Sequence, residues 1–538
     1  MSLGSTARSV LRTTAYAALF GFLLSSCPET SASAQSVEQT LSPQKLQKIS
    51  TVDERFQSYN VEAVEVTGGR FWKPYDTAKN GGSTQQRDRA PMFSGAAANM
   101  FTQKPPIDLT NRRLRTLAKA LGPAYLRMSG SWQNATYFHD SDAPAPAVPP
   151  AGFNGVMTRA QLKGVIDFAR DSNADFMTSF ATSMGTRDEK GVWTSEQATR
   201  FNDYIRSFGG KIAATEFMNE PTLATMSGVP KGYGPTEYAR DAKLFRAWLK
   251  QASPGTLFVG PGGEGEGMGW HQPEAMHRIP SEELLKASGP IYDVYSFHFY
   301  SAISERCSKM LGGGVTASEA LLPSWFQIPD KVYAFYAGFR DRYEPGKPIW
   351  VTETGEAACG GDRFASTYLD TFRYLNELGA LAKHGVQVVA HNTLAETDYA
   401  LIDGDTFSPR PDYWGALLWR RFMGTTVLDA GPPQNKNVYV YAHCARGIDG
   451  AVSTLVLNPS PDVVNIKGEG PSEVYQLTAK ELQATEVFLN GTPLQMTASD
   501  ELPRLMPVKS SSVVKLRPFS IAFLIYTKAA NPACRVEV

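Results

Sequence analysis

Between Tyr59 and Met423 short apolar runs and amphipathic stretches take turns eight times, and this alternation restricts the fold more tightly than any other property of the chain. The runs Tyr59–Val66, Ala124–Met128, Asp175–Phe180, Ala213–Met218, Leu257–Gly260, Val294–Phe299, Ile349–Thr352 and Val386–His391 read as strands. Asn111–Leu121, Arg159–Ser172, Ser195–Phe208, Thr236–Gln251, Ser281–Ala287, Lys331–Tyr343, Phe364–Lys383 and Tyr413–Met423 read as helices. The first of these is capped by Thr110 or Asn111 and stopped by Gly122-Pro123. Such a series predicts the α/β class and a (β/α)8 TIM barrel over residues 56–426. A doubly wound sheet is the rival, but no Gly-rich phosphate loop follows the first strand.

Past Val427 the pattern changes to short alternating runs, among them Val438–Tyr441, Val452–Leu457, Glu473–Leu477, Val513–Leu516 and Ser520–Tyr526, separated by Gly, Pro, Asn and Asp. That predicts an all-β module, most simply a β-sandwich over 427–538, to which residues 36–55 contribute. A chain of 538 residues exceeds one ordinary core, which agrees with two domains. Its 53 basic and 53 acidic residues cancel, which argues against nucleic acid as a partner and against a generally polyanion-seeking surface.

The first 34 residues read as an export leader: Arg8 and Arg12 precede an apolar stretch, Ala15–Leu24, too short to span a bilayer. Two processing routes fit it. Ala32-Ser33-Ala34 suits a small-residue cleavage site, and Leu24-Ser25-Ser26-Cys27 resembles a lipobox that would lipidate Cys27 and so give a membrane attachment. The expected location is therefore periplasmic or extracellular, with an outer-membrane lipoprotein as the variant. Cys307, Cys359, Cys444 and Cys534 then meet an oxidising compartment, where three pairings are open. Cys444 with Cys534 would staple the β module and Cys307 with Cys359 would tie two loops, or the latter two stay unpaired.

Two carboxylates stand just past two of the strands. Glu353 closes Pro348-Ile-Trp-Val-Thr-Glu353, and Glu220 closes Thr215-Glu-Phe-Met-Asn-Glu220 before Pro221. In a parallel barrel these strand ends carry the chemistry. A pair of carboxylates there suffices for retaining glycoside hydrolysis, one attacking the sugar and one shuttling the proton, about 5–5.5 Å apart. No spacing of cysteines suggests zinc, and the reaction requires neither metal nor cofactor.

The strand ending in Asn219-Glu220-Pro221, followed by a later strand ending in Glu353, resembles the clan of retaining barrel glycosidases. Leu121-Gly-Pro-Ala-Tyr-Leu-Arg-Met-Ser-Gly130, Glu353 with Cys359-Gly360-Gly361, and Pro411-Asp-Tyr-Trp414 narrow the resemblance to glycoside hydrolase family 79, the heparanase and β-glucuronidase group, from about Phe56 to Tyr526. The resemblance implies that Glu220 is the acid/base and Glu353 the nucleophile, and that Cys444 and Cys534 are paired. It implies that Gly360, Gly361 and Tyr399 bind a glucuronate carboxylate, the two glycines as a nest of backbone N–H groups, and that Asn219 meets the sugar 2-hydroxyl. Glu62 and Ser131 match positions near the sugar hydroxyls. His298 and Tyr300 alternate onto one face near Glu353, where Tyr300 would hold the nucleophile. Arg127 reads as a buried ion-pair partner, Glu264 and Glu266 as possible cleft acids, and Arg240, Lys243, Arg246 and Lys250 as a helix face, solvated or sulfate-binding.

The expectation is a monomeric, exported retaining β-glucuronidase of heparanase type acting on a glucuronic-acid polysaccharide such as heparan sulfate. The rivals are a glycosidase of the same clan acting on neutral sugars, an exo-β-glucuronidase on small glucuronides, and a catalytically silent lipoprotein that binds glycan.

Overall fold

The computed structural model describes residues 37–75, 100–268, 277–432 and 434–535. The expected leader, with Cys27, lies outside the described residues. Eight parallel strands close a barrel: β1 (Gln57–Glu62), β2 (Ala124–Ser129), β3 (Ala174–Thr178), β4 (Ala214–Thr215), β5 (Leu257–Glu264), β6 (Val294–Ile303), β7 (Ile349–Ala358) and β8 (Val388–His391). Each strand pairs with its sequence neighbours, and β8 returns to β1 through Val389↔Gln57. Outside run α1 (Arg112–Leu121), α2 (Arg159–Asp171), α3 (Glu196–Ser207), α4 (Pro235–Ala252), α5 (Ser281–Ser288), α6 (Ile328–Tyr343), α7 (Tyr368–Lys383) and α8 (Pro411–Phe422).

Local chemistry sets the helix starts. Asn111 Oδ1 accepts from the N–H groups of Arg113 and Leu114, and Thr158 with Gln161 forms a reciprocal capping box at α2. The expected strand Tyr59–Val66 is shorter in the structure. It ends at Glu62, and Ala63–Thr67 turns helical. The neighbour β2 gives out at Ser129, opposite Glu62, so further extended residues would have had no ladder on that side.

Tyr125, Met177, Ala214, Val259, Val294, Trp350 and Val388 fill the barrel's N-terminal end with an apolar layer, so the open mouth lies at the strands' C-terminal end. The segments before and after the barrel form a nine-stranded sheet and a three-stranded sheet with a core of their own, including Leu41, Val452, Val456, Ile466, Leu516 and Leu524. Two strands preceding the barrel join them. Val37–Leu41 lies parallel to Val464–Gly468, and Lys48–Thr51 lies antiparallel to Met423–Leu428.

The larger sheet's other face meets α7, which explains why that helix is buried all round from Tyr368 to Ala382. A Cβ at Gly379 would stand 2.3 Å from the Tyr441 ring, Tyr441 OH donates to Asn376, and Tyr368 OH donates to the Leu477 carbonyl. Cys444 is bonded to Cys534 and Cys307 to Cys359.

Candidate active site

The barrel mouth gathers charged side chains from five strands. Arg127 on β2 is 1% exposed and sends Nη1 to Glu353 Oε2 at 2.9 Å. Its Nη2 reaches Glu216 Oε2 at 2.8 Å and Asn219 Oδ1 at 2.7 Å. Glu353 Oε1 accepts from Tyr300 OH at 2.7 Å. One carboxylate of the pair is thus gripped at both oxygens, the posture of a nucleophile fixed in place.

The register at β6 and β7 makes this possible. Phe297 pairs with Val351, but His298 pairs with Glu353, so Thr352 is an extra residue at a bulge. Bulges re-aim side chains. Here Thr352 and Glu353, consecutive in sequence, both enter the same network, since Thr352 Oγ1 donates to Glu216 Oε1 at 2.8 Å.

Glu220 stands beyond β4 in a left-handed conformation, φ +46°, which is costly for a residue with a Cβ and must be held by its surroundings. Asn134 does this from both sides. Its Oδ1 accepts from the Asn219 N–H at 2.8 Å and its Nδ2 donates to the Asn219 carbonyl at 2.9 Å. Glu220 Oε1 faces His298 Nδ1 at 3.1 Å. Facing atoms of Glu220, His298 and Glu353 all lie within 4.8 Å of one another. That closeness fits a retaining carboxylate pair and leaves no room for the intervening water of an inverting one.

The charges are set by burial and by neighbours. Burial alone would drive His298 to the neutral form, but Glu353, Glu216 and Glu220 overcome it and raise its pKa to about 10. Burial would likewise raise Glu216, but Arg127 and His298 bring it down to about 2. Glu62, on β1, goes the other way. Burial and then the charge of Glu353 push its carboxyl well above the ordinary range, against Arg127. The trio Glu220, His298 and Glu353 is also, among the described residues, the one cluster close enough to surround a cation. An imidazolium donating from Nδ1 has no lone pair to give, so the donor set does not suit a metal.

Of the residues expected to hold the sugar, Asn219, Tyr300, Tyr399 and Glu62 converge on Asn392, Arg127 and Glu353. Asn392 Nδ2 lies 2.9 Å from Tyr300 OH, 3.1 Å from Tyr399 OH and 3.2 Å from Glu62 Oε1. A Cβ at Gly130 would collide with Glu62 Oε2, so only glycine admits that carboxyl. His298 is fully buried behind Glu220 and Glu353 rather than on the cleft wall. Ser131 is half-buried, one residue past Gly130. Gly360 and Gly361 have φ +84° and +81°. The Gly361 N–H is already committed to the Ala357 carbonyl at 3.0 Å, so the two-donor nest reduces to the Gly360 N–H.

Sequence reasoning missed Glu216, Thr352, Asn134 and Asn392. Asn392 had a legible signal, being the first polar residue after the eighth strand's His391. Glu264 is buried against Arg278 at 2.7 Å, and Glu266 holds Ser281. Arg246 makes a two-pronged pair with Asp293, and Arg240 pairs with Asp241, so that helix face is largely neutralised.

No family model matches the chain. It is 32% identical to baicalin-β-D-glucuronidase of Scutellaria baicalensis over 78% of this chain and 83% of that protein. To heparanase-like protein 1 of Arabidopsis thaliana it is 27% identical over 86% of this chain and 90% of that protein. A solved 4-O-α-L-rhamnosyl-β-D-glucuronidase from Fusarium oxysporum superimposes with a TM-score of 0.60 at 12% identity, covering 90% of this chain and all of that one, a likeness of fold.

Proposed function

The chain belongs to glycoside hydrolase family 79, the heparanase and β-glucuronidase group, and from that premise we propose that it is a retaining glucuronidase in which Glu353 is the nucleophile and Glu220 the acid/base. The observation that carries the assignment is the asymmetry of the pair. Glu353 is fixed at both oxygens by Arg127 and Tyr300, while Glu220 contacts His298 through one oxygen and keeps the other for the glycosidic bond.

In the first step Glu353 attacks the anomeric carbon as Glu220 gives its proton to the departing oxygen, leaving a glycosyl ester on Glu353. In the second, Glu220 takes a proton from water, the oxygen attacks the same carbon, and Glu353 leaves as carboxylate. Arg127 and His298 face Glu216 and Glu353, two cations against two anions, which keeps the charge of the buried mouth close to balance. Asn219 spends its Oδ1 on Arg127 and keeps its amide donor for the 2-hydroxyl.

Glucuronate, rather than a neutral sugar, is favoured by the Gly360 N–H, which has no partner among the described residues, and by Tyr399, whose ring packs against Gly361. Glu62, its carboxyl raised well above the ordinary range by burial and by Glu353, is suited to donate to a sugar hydroxyl as well as accept. The substrate class is a glucuronic-acid-containing polysaccharide, heparan sulfate being the working case. Two disulfides accord with export, and no helix among the described residues is long and apolar enough to cross a membrane.

The test is mass spectrometry of products from a glucuronate–glucosamine oligosaccharide. Internal fragments are the expected outcome and mark endo cleavage. Free glucuronic acid alone makes the enzyme an exo-glucuronidase of the same mechanism. No cleavage, with an aryl β-glucoside hydrolysed instead, overturns the glucuronate reading.

A further inference from the structure

Arg306 lies outside the catalytic network, yet its side chain is almost wholly buried, 6% exposed, and is spent on the loops that carry Gly360 and Tyr399. Nη1 donates to the carbonyls of Cys359 at 3.1 Å and Gly361 at 2.7 Å. Nη2 donates to the Lys73 carbonyl at 2.7 Å and pairs with Asp398, the residue before Tyr399. The Tyr75 ring covers the guanidinium 3.7 Å from its carbon, and Tyr75 OH shares the Gly361 carbonyl at 3.0 Å. Ser304 Oγ adds a second bond to the Cys359 carbonyl, and the Cys307–Cys359 disulfide ties the same two turns.

The consequence follows from peptide geometry. A planar trans peptide points its C=O and N–H in opposite directions. With the Cys359 carbonyl held by Arg306 and Ser304, the Gly360 N–H of that same peptide must face away from them. The next two N–H groups are taken, Gly361 by Ala357 and Asp362 by Glu356 Oε2 at 2.8 Å. Cys359, Gly360 and Gly361 all have φ between +67° and +84°, a run the chain does not adopt without such anchoring. The same guanidinium, through Asp398, fixes the start of the loop that carries Tyr399, whose Cβ and N would lie 3.1 Å from a Cβ at Gly361.

We propose that Arg306 is a specificity-determining positioning residue. It holds the Gly360 N–H and the Tyr399 hydroxyl in one arrangement and thereby sets the preference for a substrate carrying a carboxylate at C5. This rests on the glucuronate reading above. A lysine would not serve, because four acceptors on three loops require the planar fork of arginine.

The experiment measures kcat and KM of the wild type, Arg306→Gln, Arg306→Lys and Asp398→Asn on 4-nitrophenyl β-glucuronide and the matching β-glucoside. A wild type with no preference for glucuronide overturns the glucuronate reading, and this proposal with it. Given that preference, the expected result is a fall of roughly ten-fold or more in the glucuronide-to-glucoside ratio of kcat/KM. It should be carried by the glucuronide KM, with Arg306→Lys failing to restore it. Parallel losses on both substrates, or an unchanged ratio, would mean that Arg306 is only structural. Should Arg306→Gln not fold, Asp398→Asn decides by the same ratio.

Discussion

His298 stores a pH-dependent part of the stability whose sign and size can be worked out. In the folded chain Glu353, Glu216 and Glu220 keep it protonated to about pH 10, whereas an unfolded histidine titrates at 6.5. The interval of about three and a half pH units corresponds to about 5 kcal/mol. Because the folded pKa is the raised one, this contribution is fully present below pH 6.5 and is lost as the pH climbs through about 10. His298→Asn keeps a donor but cannot titrate, and it leaves the surrounding carboxylates short of a counter-charge. At pH 6 it should be several kcal/mol less stable than the wild type, as expected when one partner of a buried pair is removed (about 3–5 kcal/mol). Between pH 6.5 and 10 that gap should close. Urea unfolding followed by tryptophan fluorescence at pH 6, 8 and 9.5, with both disulfides intact, reads it directly. A gap of constant size across this range would show that His298 is neutral throughout, and the two-cation, two-anion balance of the site would be wrong.

Three further outcomes are expected. Glu220→Ala should lower kcat by about 10²- to 10⁴-fold on a substrate with a poor leaving group and much less on a dinitrophenyl glucuronide; added azide should give the β-glucuronosyl azide, and an α-product would refute retention. Tyr300→Phe removes a hydrogen bond to Glu353, the proposed nucleophile, worth about 1.5–3 kcal/mol, so kcat should drop roughly ten- to hundred-fold, and an unchanged kcat would place the Tyr300 hydroxyl outside the reaction. The Cys444–Cys534 bond closes a separation of 90 residues, and replacing both by serine should cost about 2–5 kcal/mol in urea unfolding; a midpoint equal to the wild type's would show that the sheets need no staple.

Much of this molecule is written locally. The eight strands are legible because each is a short apolar run flanked by polar or Gly-rich turns, and Glu353 and Glu220 are legible because each directly follows such a run. The chain's order thus determined the barrel, its mouth and the two carboxylates proposed to act there. It singled out Glu220 but was silent on Glu216, four residues earlier. Only the left-handed turn at Glu220 sends one toward the cleft and leaves the other beneath it against Arg127. Nor could it foresee Thr352 and Glu353 facing the same network, since strict alternation forbids that and only the bulge against His298 permits it. Arg127 and Glu353 are 226 residues apart, and Arg306 and Lys73 are 233. Charge states and donor directions at such places come from neighbours that meet only when the barrel closes. Periodicity along the chain therefore fixes the scaffold, and contacts across the barrel fix which groups are charged and where they point.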